Sequence, residues 1–536
     1  MNVAGTFIGL DYPNNALSIW LCKAIAELTK PHRFRWSDVV AGISVALLLI
    51  PQSMAYAGIA GLPAVHGLYA AMLPPIVAAF FVSSPYLQTG PVAMTAILSF
   101  GALSALATPM TPDYIGLAAL LAIVVGVTRV LTGVLRVGFV AYLMSQPVLM
   151  GFTSAAAVLI IASQVPTALG VSGVDGTLLG GAAEAVFRPG GWSPTAILLA
   201  VGTMAVVSGG RKIHPVFPGV LVAVMLGTVY SGATGYEGAV LGSVPAGIPP
   251  FTLRLPWDQL RHLIVPGIVI SLVGFAEPAA IARTMATKRR EVWVADREFV
   301  SQGMANLAAG LTGGFPVGGS FSRTMVNVSA GGQSRWAGVV TGVAVLSFLP
   351  FAGVLSALPR AVLAGIVIAA VSQLVNLRSL VTLAKTSRGQ AMVGAATFVL
   401  TLVLAPRIDL AVLLGIGFGI AVHLWRERRI QVLQRMDGDT LWLEVAGVLY
   451  FGSAARLEDR LEAELAAHPE ATGLVLDLRR VGRIDYTSAA VIQRVATDIE
   501  EAGMTVRVIA AGPPQGLVLL ERLLGPDSRW LESGEP

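Results

Sequence analysis

Long apolar segments, separated by short polar ones, follow one another from Val39 to Val422. A helix of roughly 20 apolar residues is long enough to cross the hydrocarbon core of a bilayer. The pattern therefore predicts an α-helical, multi-pass membrane protein with fourteen spans, of which the third and tenth are short. These spans are 38–57, 64–82, 91–106, 114–134, 139–163, 192–208, 216–231, 263–284, 298–313, 320–330, 336–356, 359–376, 389–405 and 408–424.

The composition supports this interpretation. Of the 536 residues 55% are hydrophobic and only 12% are charged, whereas about a quarter of the residues of a soluble domain are charged. The single cysteine, Cys22, has no partner for an intrachain disulfide, and no Cys/His cluster has metal-ligand spacing. We therefore expect no metal, no cofactor and no enzymatic activity.

The clusters of basic residues lie in loops on one side of the predicted membrane spans. The net charge is +5, which taken alone is compatible with nucleic-acid binding. However, the clusters fall in alternate loops, as the positive-inside rule requires of cytoplasmic loops. We therefore expect a cell (inner) membrane protein with both termini in the cytoplasm, in contact with the lipid bilayer and not with nucleic acid. The clusters are Arg211-Lys212, Lys288-Arg289-Arg290, Lys385 with Arg388, and Arg426 with Arg428-Arg429.

Each of the two short spans follows a stretch rich in glycine and proline. The stretches are "YLQTGPVAM" (86–94) and "GGFPVGGSFSRTMVN" (313–327), and each precedes the third span of a set of seven. Paired interruptions at matching positions of two halves are typical of inverted repeats, with the binding site between the breaks. An odd number of spans per half makes the second half enter from the other side. We expect 7+7 inverted repeats in which the two short helices start near each other.

Such helix starts favour an anion. The first N–H groups of a helix are unpaired, and its N-terminus carries about half a positive elementary charge. Arg323 adds a full charge, although an intramembrane arginine costs about 3 kcal/mol on insertion scales. The alternative is that the glycines only permit close packing and Arg323 pairs with a carboxylate. The expected substrate-binding residues at the breaks are Gly90, Pro91, Val92, Ala93, Gly319, Ser320, Ser322 and Arg323.

Four further residues are predicted to serve this site. Gln52 and Tyr56 are polar positions in the first span, and Phe321 is expected to form an apolar wall. Glu277, in "VGFAEPAAIAR" (273–283), is an intramembrane carboxylate. A carboxylate beside an anion site repels the substrate unless it is protonated or paired. Glu277 is therefore either a proton-coupling group or the partner of Arg323 in a structural ion pair, and the two roles are compatible if the pair breaks during transport.

Beyond Arg429 short apolar runs alternate with helical periodicity, which is typical of a small α/β domain. We expect strands at 441–451 (one or two, with a turn near Gly447), 473–478 and 505–511. Helices are expected at 454–467, 487–503 and 515–525. The predicted domains are a cytoplasmic N-terminal segment 1–37, a transmembrane domain 38–430 and a cytoplasmic domain 438–536.

Three segments resemble the sulfate permease (SulP) family of anion transporters. They are "DVVAGISVALLLIPQSMAYAGIAGLPAVHGLYAA" (38–71), "TGPVAM" (89–94) and "GFPVGGSFSRTMVN" (314–327), supported by "ADREFVSQGMANLAAGL" (295–311). The tail resembles the STAS domain of these transporters, with "RIDYTSA" (483–489) at its loop. The resemblance implies a core domain of spans 1–4 and 8–11, a gate domain of the other spans, an elevator motion and a homodimer.

The resemblance also implies the substrate class: sulfate, bicarbonate, chloride or dicarboxylates, moved by proton or sodium symport or by exchange. Sodium-coupled bicarbonate members tend to have a small hydroxyl residue where Phe321 stands and lack the arginine, which favours protons here. Tyr486 occupies the position of the serine that is phosphorylated in switched STAS domains. We expect a proton-coupled secondary active oxyanion transporter. The alternatives are an exchanger, a channel, a sodium-coupled bicarbonate transporter and, less favoured, a nucleobase permease or a membrane anion sensor.

Overall fold

The computed structural model describes residues 34–510, except 143, 174–175, 214–216, 246, 248, 250 and 252–253, together with 519–520, 522 and 531–533. The predicted segment 1–37 therefore lies almost entirely outside the described residues, as does most of the predicted helix 515–525. The chain divides into two compact units, Met1–Ile416 and Gly417–Pro536.

The first unit consists mainly of α-helices in its described part. Each of the fourteen predicted spans contains one helix; α6 and α14 are additional short helices. The helices are α1 Trp36–Ile59, α2 Val65–Phe81, α3 Ala93–Leu103, α4 Pro112–Val134, α5 Gln146–Leu169, α6 Leu178–Phe187, α7 Pro194–Ile213, α8 Gly219–Thr234, α9 Leu260–Arg289, α10 Ala295–Leu311, α11 Phe321–Ser329, α12 Trp336–Phe348, α13 Arg360–Val371, α14 Leu377–Thr386, α15 Arg388–Val403 and α16 Ile408–Glu427, the last continuing into the second unit.

Seven helical stretches among the described residues are long and apolar enough to cross a membrane. Other helices are apolar but shorter, so a multi-pass helical membrane protein is confirmed while the count of fourteen crossings stays a prediction. The seven stretches are Trp36–Ile59, Pro112–Val134, Gln146–Leu169, Trp257–Arg289, Trp336–Ala357, Arg360–Thr386 and Ile408–Glu427.

The helix bounds follow from local sequence signals. Helix α4 starts at Pro112, whose fixed φ suits a first helical turn, and the Thr111 side chain accepts a hydrogen bond from the Tyr114 N–H. Helix α5 ends at Gly170, which adopts a left-handed conformation with φ +73°. Ordinary capping rules thus place these ends within a few residues of the sequence prediction.

The two short helices are only half as long as a membrane span. Helix α3 has 11 residues and α11 has 9, which gives lengths of about 17 Å and about 14 Å at the α-helical rise. The hydrocarbon core is about 30 Å thick. Neither helix is therefore long enough to cross the apolar layer, and an end that lies inside it needs polar partners within the protein.

The breaks before these two helices pair with each other. Strand β1 (Thr89–Gly90) runs antiparallel to β2 (Gly318–Gly319), with Thr89 opposite Gly319 and Gly90 opposite Gly318. This two-residue ladder joins the halves of the unit and sets the starts of α3 and α11 side by side. The two interruptions meet, as the repeat pattern predicts.

Glycines allow several helices to approach closely. A Cβ atom at Gly67 of α2 would lie 2.0 Å from the Ser53 carbonyl oxygen of α1. A Cβ atom at Gly310 of α10 would lie 2.6 Å from the Ala119 carbonyl oxygen of α4. No side chain fits at these positions without moving the backbone, so they fix α2 against α1 and α10 against α4.

The second unit is a five-stranded sheet with two helices among its described residues. The strand order is β3-β4-β5-β6-β7; β3 pairs antiparallel with β4 and the other pairs are parallel. The small α/β domain is therefore confirmed. Its elements are β3 Gln431–Asp437, β4 Thr440–Leu449, α17 Phe451–Ala467, β5 Gly473–Ile484, α18 Tyr486–Glu501, β6 Thr505–Ala510 and β7 Leu531–Ser533.

The sheet differs from the sequence prediction in four places, one of which is strand β7 (Leu531–Ser533), where the sequence predicts no strand. Strand β3 precedes residue 438, where the domain was expected to start. Of the 441–451 segment, residues 441–449 belong to one strand, whose register shifts on either side of Ala446–Gly447 without a turn, and Phe451 already starts α17. Strand β5 continues from the predicted end at 478 to Ile484. A polar, exposed edge strand such as β3 has little hydrophobic signal, which explains why periodicity does not reveal it.

The close approach at Gly67 predicts a specific loss of stability. Gly67→Ala should lower the unfolding free energy by about 1–3 kcal/mol, because the new methyl group meets a backbone carbonyl that cannot rotate away. Gly58→Ala is the matched control, since a Cβ atom there meets nothing within 4 Å and alanine favours a helix. Thermal unfolding in detergent should show a lower midpoint for Gly67→Ala only; equal midpoints would contradict this packing.

Candidate anion site

A cavity of about 490 Å³ lies where the two half-helices begin. It is lined by residues of α1, α3, α5, α9 and α11, by the end of α13 and by the segment that follows α13. Seven of the predicted site residues line it: Tyr56, Val92, Ala93, Glu277, Ser320, Phe321 and Ser322. The structure therefore gathers residues from four distant parts of the chain around one space.

The other five predicted residues are buried and do not line the cavity: Gln52, Gly90, Pro91, Gly319 and Arg323. Gly90 and Gly319 belong to the β1–β2 ladder, and Pro91 follows it. Gln52 is 1% exposed, and neither atom of its amide group has a hydrogen-bond partner. These residues form the support of the site rather than its surface.

Neither half-helix has a side-chain cap. Val92 precedes α3 and Ser320 precedes α11, both with extended backbone, and no side chain of either accepts a hydrogen bond from the first turn. Unpaired N–H groups at a helix start carry partial positive charge and bind anions. One of them is already engaged: the Phe321 N–H donates to the Glu277 carboxylate at 3.4 Å.

Arg323 reaches from α11 back to the first break. Its side chain is 0% exposed, and NH1 donates to the Pro91 carbonyl oxygen at 2.7 Å. Nε and NH2 have no hydrogen-bond partner. A buried guanidinium with unsatisfied donors is costly, so Arg323 leaves strong donors available beside the helix starts.

The ion pair between Arg323 and Glu277 is absent from the described structure. The two groups are close enough to interact electrostatically. However, the carboxylate accepts from the Phe321 N–H, and the guanidinium bonds the Pro91 carbonyl. The positive charge of Arg323 is therefore not consumed by a direct contact with an acidic side chain.

A hydrogen-bonded frame holds the first break. The Ser320 N–H donates to the Gln88 carbonyl oxygen at 3.0 Å, and the Gln88 N–H donates to Thr324 Oγ1 at 3.1 Å. Gln302 Nε2 donates to Thr89 Oγ1 at 2.8 Å. The segment before α3 is thus fastened to both α10 and α11, which keeps its backbone groups satisfied without water.

Asn306 holds the second break. Its Oδ1 accepts from the Val317 N–H at 2.9 Å, and its Nδ2 donates to the Val317 carbonyl oxygen at 3.0 Å. Sequence reasoning misses this role and that of Gln302. The available signal is their spacing: 302 and 306 differ by four and so share one helix face, and both amides are fully buried in an otherwise apolar span.

The cavity extends from the helix starts to Thr284 of α9 and to Asn376 and Ser379 around α14. The basic clusters 288–290 and 385–388 follow these residues in the chain. This is the end of the helices for which the positive-inside rule predicts the cytoplasmic side.

Comparison with known proteins assigns both units to the families that their sequences resemble. The sulfate permease family model matches residues 36–397, and the STAS domain model matches residues 431–522. "Sulfate transporter 4.1, chloroplastic" of Arabidopsis thaliana is 30% identical over 485 residues, which are 84% of this chain and 70% of that protein. The relatives are transporters, not enzymes.

Two solved structures share the fold. Murine Slc26a9, described as an anion transporter in the inward-facing state, has a TM-score of 0.87 at 18% identity, over 99% of this chain and 94% of its own. The transmembrane domain of the cyanobacterial bicarbonate transporter BicA has a TM-score of 0.64 at 24% identity, over 71% of this chain and 98% of its own. At these identities the likeness concerns the fold alone.

Proposed function

We propose that this chain, which belongs to the sulfate permease family, is a secondary active transporter of small oxyanions, with sulfate as the foremost substrate. One observation carries the proposal: two uncapped helix starts and the unpartnered N–H groups of Arg323 converge beside one cavity. An oxyanion accepts several hydrogen bonds at once, which suits such donors. The relatives are named as sulfate transporters, which favours sulfate. Bicarbonate and C4-dicarboxylates are the other candidates, because they are also small oxyanions.

The proposed substrate-binding set has two layers. The lining residues, led by Ser320 and Ser322, contact the anion, and Phe321 and Tyr56 form its walls. The buried layer orients the backbone and supplies charge, and Gln52 adds amide donors that have no partner. The complete set is Gln52, Tyr56, Gly90, Pro91, Val92, Ala93, Gly319, Ser320, Phe321, Ser322 and Arg323.

Replacing Arg323 tests the source of the charge. A charged hydrogen bond contributes about 1.5–3 kcal/mol, so Arg323→Ala should weaken sulfate binding about ten- to hundred-fold while the protein still folds. Arg323→Lys should restore part of the affinity, because it keeps the charge but not the planar fork. Calorimetric titration of the purified variants with sulfate measures this.

Arg388→Ala is the control for this comparison, since Arg388 is an exposed arginine at the start of α15. It should bind sulfate like the unmodified protein. Unchanged affinity in Arg323→Ala would remove Arg323 from the site.

We further propose that protons drive the transport through Glu277. Its carboxylate lines the cavity and occupies the Phe321 N–H, one of the donors that an anion would use. Protonation removes the repulsion between Glu277 and the anion and reduces the charge carried through the membrane. An anion that enters against a negative-inside potential loses about 2.3 kcal/mol per charge per 100 mV, so accumulation needs a coupled cation or a counter-anion.

Glu277→Gln separates binding from coupling. The amide mimics the protonated acid, so sulfate binding and sulfate–sulfate exchange should persist. Accumulation driven by an imposed pH gradient should be lost, and the fall of uptake with rising external pH should flatten. Both the accumulation and the pH dependence of uptake are measured in proteoliposomes with and without a protonophore. If Glu277→Gln accumulates sulfate on a pH gradient as the unmodified protein does, another group carries the proton.

We propose an elevator motion, which the position of the cavity supports, within a homodimer, as the family resemblance implies. Its walls come from α1, α3, α9 and α11 of the predicted core domain and from α5 and α13 of the predicted gate domain. A second cavity of about 620 Å³ lies between the same two groups at the other ends of α5 and α13, lined by Leu62, Gln164 and Arg360. Cavities at both ends of one interface suit a core that moves along the gate. A passive channel would show neither saturation nor accumulation in the same vesicles.

The STAS domain is proposed to act in dimer contacts or regulation rather than in anion binding. All residues of the candidate site belong to the first unit. Removing residues 431–536, from the start of β3, should therefore leave the sulfate affinity within about twofold of the full chain, while turnover or expression falls. Titration of the truncated, monodisperse protein checks this; loss of binding in a truncation that folds would contradict it.

A further inference from the structure

A second arginine is buried in the membrane unit, and neither the sequence prediction nor the proposed site includes it. Arg129 of α4 is 0% exposed. Its guanidinium donates three hydrogen bonds: from Nε to the Ser271 carbonyl oxygen at 3.2 Å, from NH1 to that of Val317 at 2.9 Å, and from NH2 to that of Ile270 at 3.3 Å. All three acceptors are backbone carbonyls. Among the described residues no acidic side chain bonds it.

The three carbonyls belong to two elements that carry the site. Ile270 and Ser271 lie in α9, about two turns before Glu277. The guanidinium fits against Gly274, where a Cβ atom would lie 2.8 Å from NH2. Val317 immediately precedes β2 and the start of α11. Arg129 therefore ties the helix that bears Glu277 to the backbone that precedes Ser320.

Arg129 also fixes the direction of one peptide group. The Val317 carbonyl oxygen accepts from both Arg129 NH1 and Asn306 Nδ2. In a trans peptide the carbonyl and the next N–H point in opposite directions. The Gly318 N–H consequently points away from Arg129, on the side of Gly90, its partner in the β1–β2 ladder.

We propose that Arg129 is a positioning residue of the anion site, which sets the anion affinity without touching the anion. The inference rests on the proposed function. Burying a guanidinium without an acidic partner costs free energy, so space filling alone does not explain Arg129. An apolar residue cannot replace its planar guanidinium, which donates to three carbonyls in two elements. Without it, the start of α11 and the Glu277 helix shift relative to each other, and the donors no longer converge.

Three substitutions test the role. Arg129→Met keeps the length but removes the donors, and it should raise the dissociation constant for sulfate at least tenfold in the folded protein. Arg129→Gln keeps neutral donors and Arg129→Lys keeps the charge with one donor group; each should recover part of the affinity. Thr128→Val is the matched control, because the Thr128 hydroxyl bonds only the Val124 carbonyl of its own helix at 2.8 Å, and its affinity should not change.

Two readouts make the test decisive. Calorimetric titration with sulfate is done on the monodisperse fraction, and uptake in proteoliposomes is measured per reconstituted molecule, where KM should rise much more than kcat falls. An Arg129→Met protein that is less stable but binds sulfate normally would overturn the inference, because the role would then be structural only. Full recovery in Arg129→Lys with none in Arg129→Gln would also overturn it, because charge alone would suffice.

The unmodified protein separates this inference from the function on which it rests. If it binds none of sulfate, bicarbonate and a C4-dicarboxylate, the proposed function itself fails. If it binds one of them and Arg129→Met binds the same anion equally well, only the role of Arg129 fails.

Discussion

The two-residue ladder between Thr89–Gly90 and Gly318–Gly319 is the contact on which the rest of the membrane unit depends. Irregular backbone inside an apolar layer is tolerated only where the protein supplies its hydrogen-bond partners. Here each break is the partner of the other. The pairing requires residues without bulky side chains: a Cβ atom at Gly319 would lie 2.8 Å from Leu87. The same glycines that make the breaks possible also bring two helix starts together.

Three of the polar side chains buried around the ladder, those of Asn306, Arg129 and Arg323, donate to backbone carbonyls. Asn306 and Arg129 bond the peptide groups of the second break, and Arg323 bonds the carbonyl of Pro91 after the first. Each arginine thus bonds a backbone carbonyl at one break, Arg129 at the second and Arg323 at the first. Because these bonds end on carbonyls rather than on carboxylates, the positive charge near the helix starts is not cancelled by direct ion pairs.

The hydropathy of the sequence and its Gly/Pro stretches are sufficient to predict part of this arrangement. The long apolar runs predict the helices, and the Gly/Pro stretches predict that 89–90 and 318–319 interrupt two of them at matching places. Arg129 is not found from the sequence because a single arginine among the 23 residues of α4 barely changes the mean hydropathy of the helix, and its three acceptors lie at least 141 positions away in the chain. Only the folded geometry shows which buried groups meet.

A transporter must release its anion as well as bind it, and in the proposed mechanism Glu277 controls that step. The Glu277 carboxylate accepts the hydrogen bond of the Phe321 N–H, so an arriving oxyanion competes with a group of the protein that has the same charge and the same acceptor chemistry. Two helix starts and Arg323 acting without this competition would hold a divalent anion tightly and slow its release. A carboxylate that takes back one donor lowers the affinity, and a proton on that carboxylate restores it. The proposed proton coupling then follows from the competition of two acceptors for one N–H.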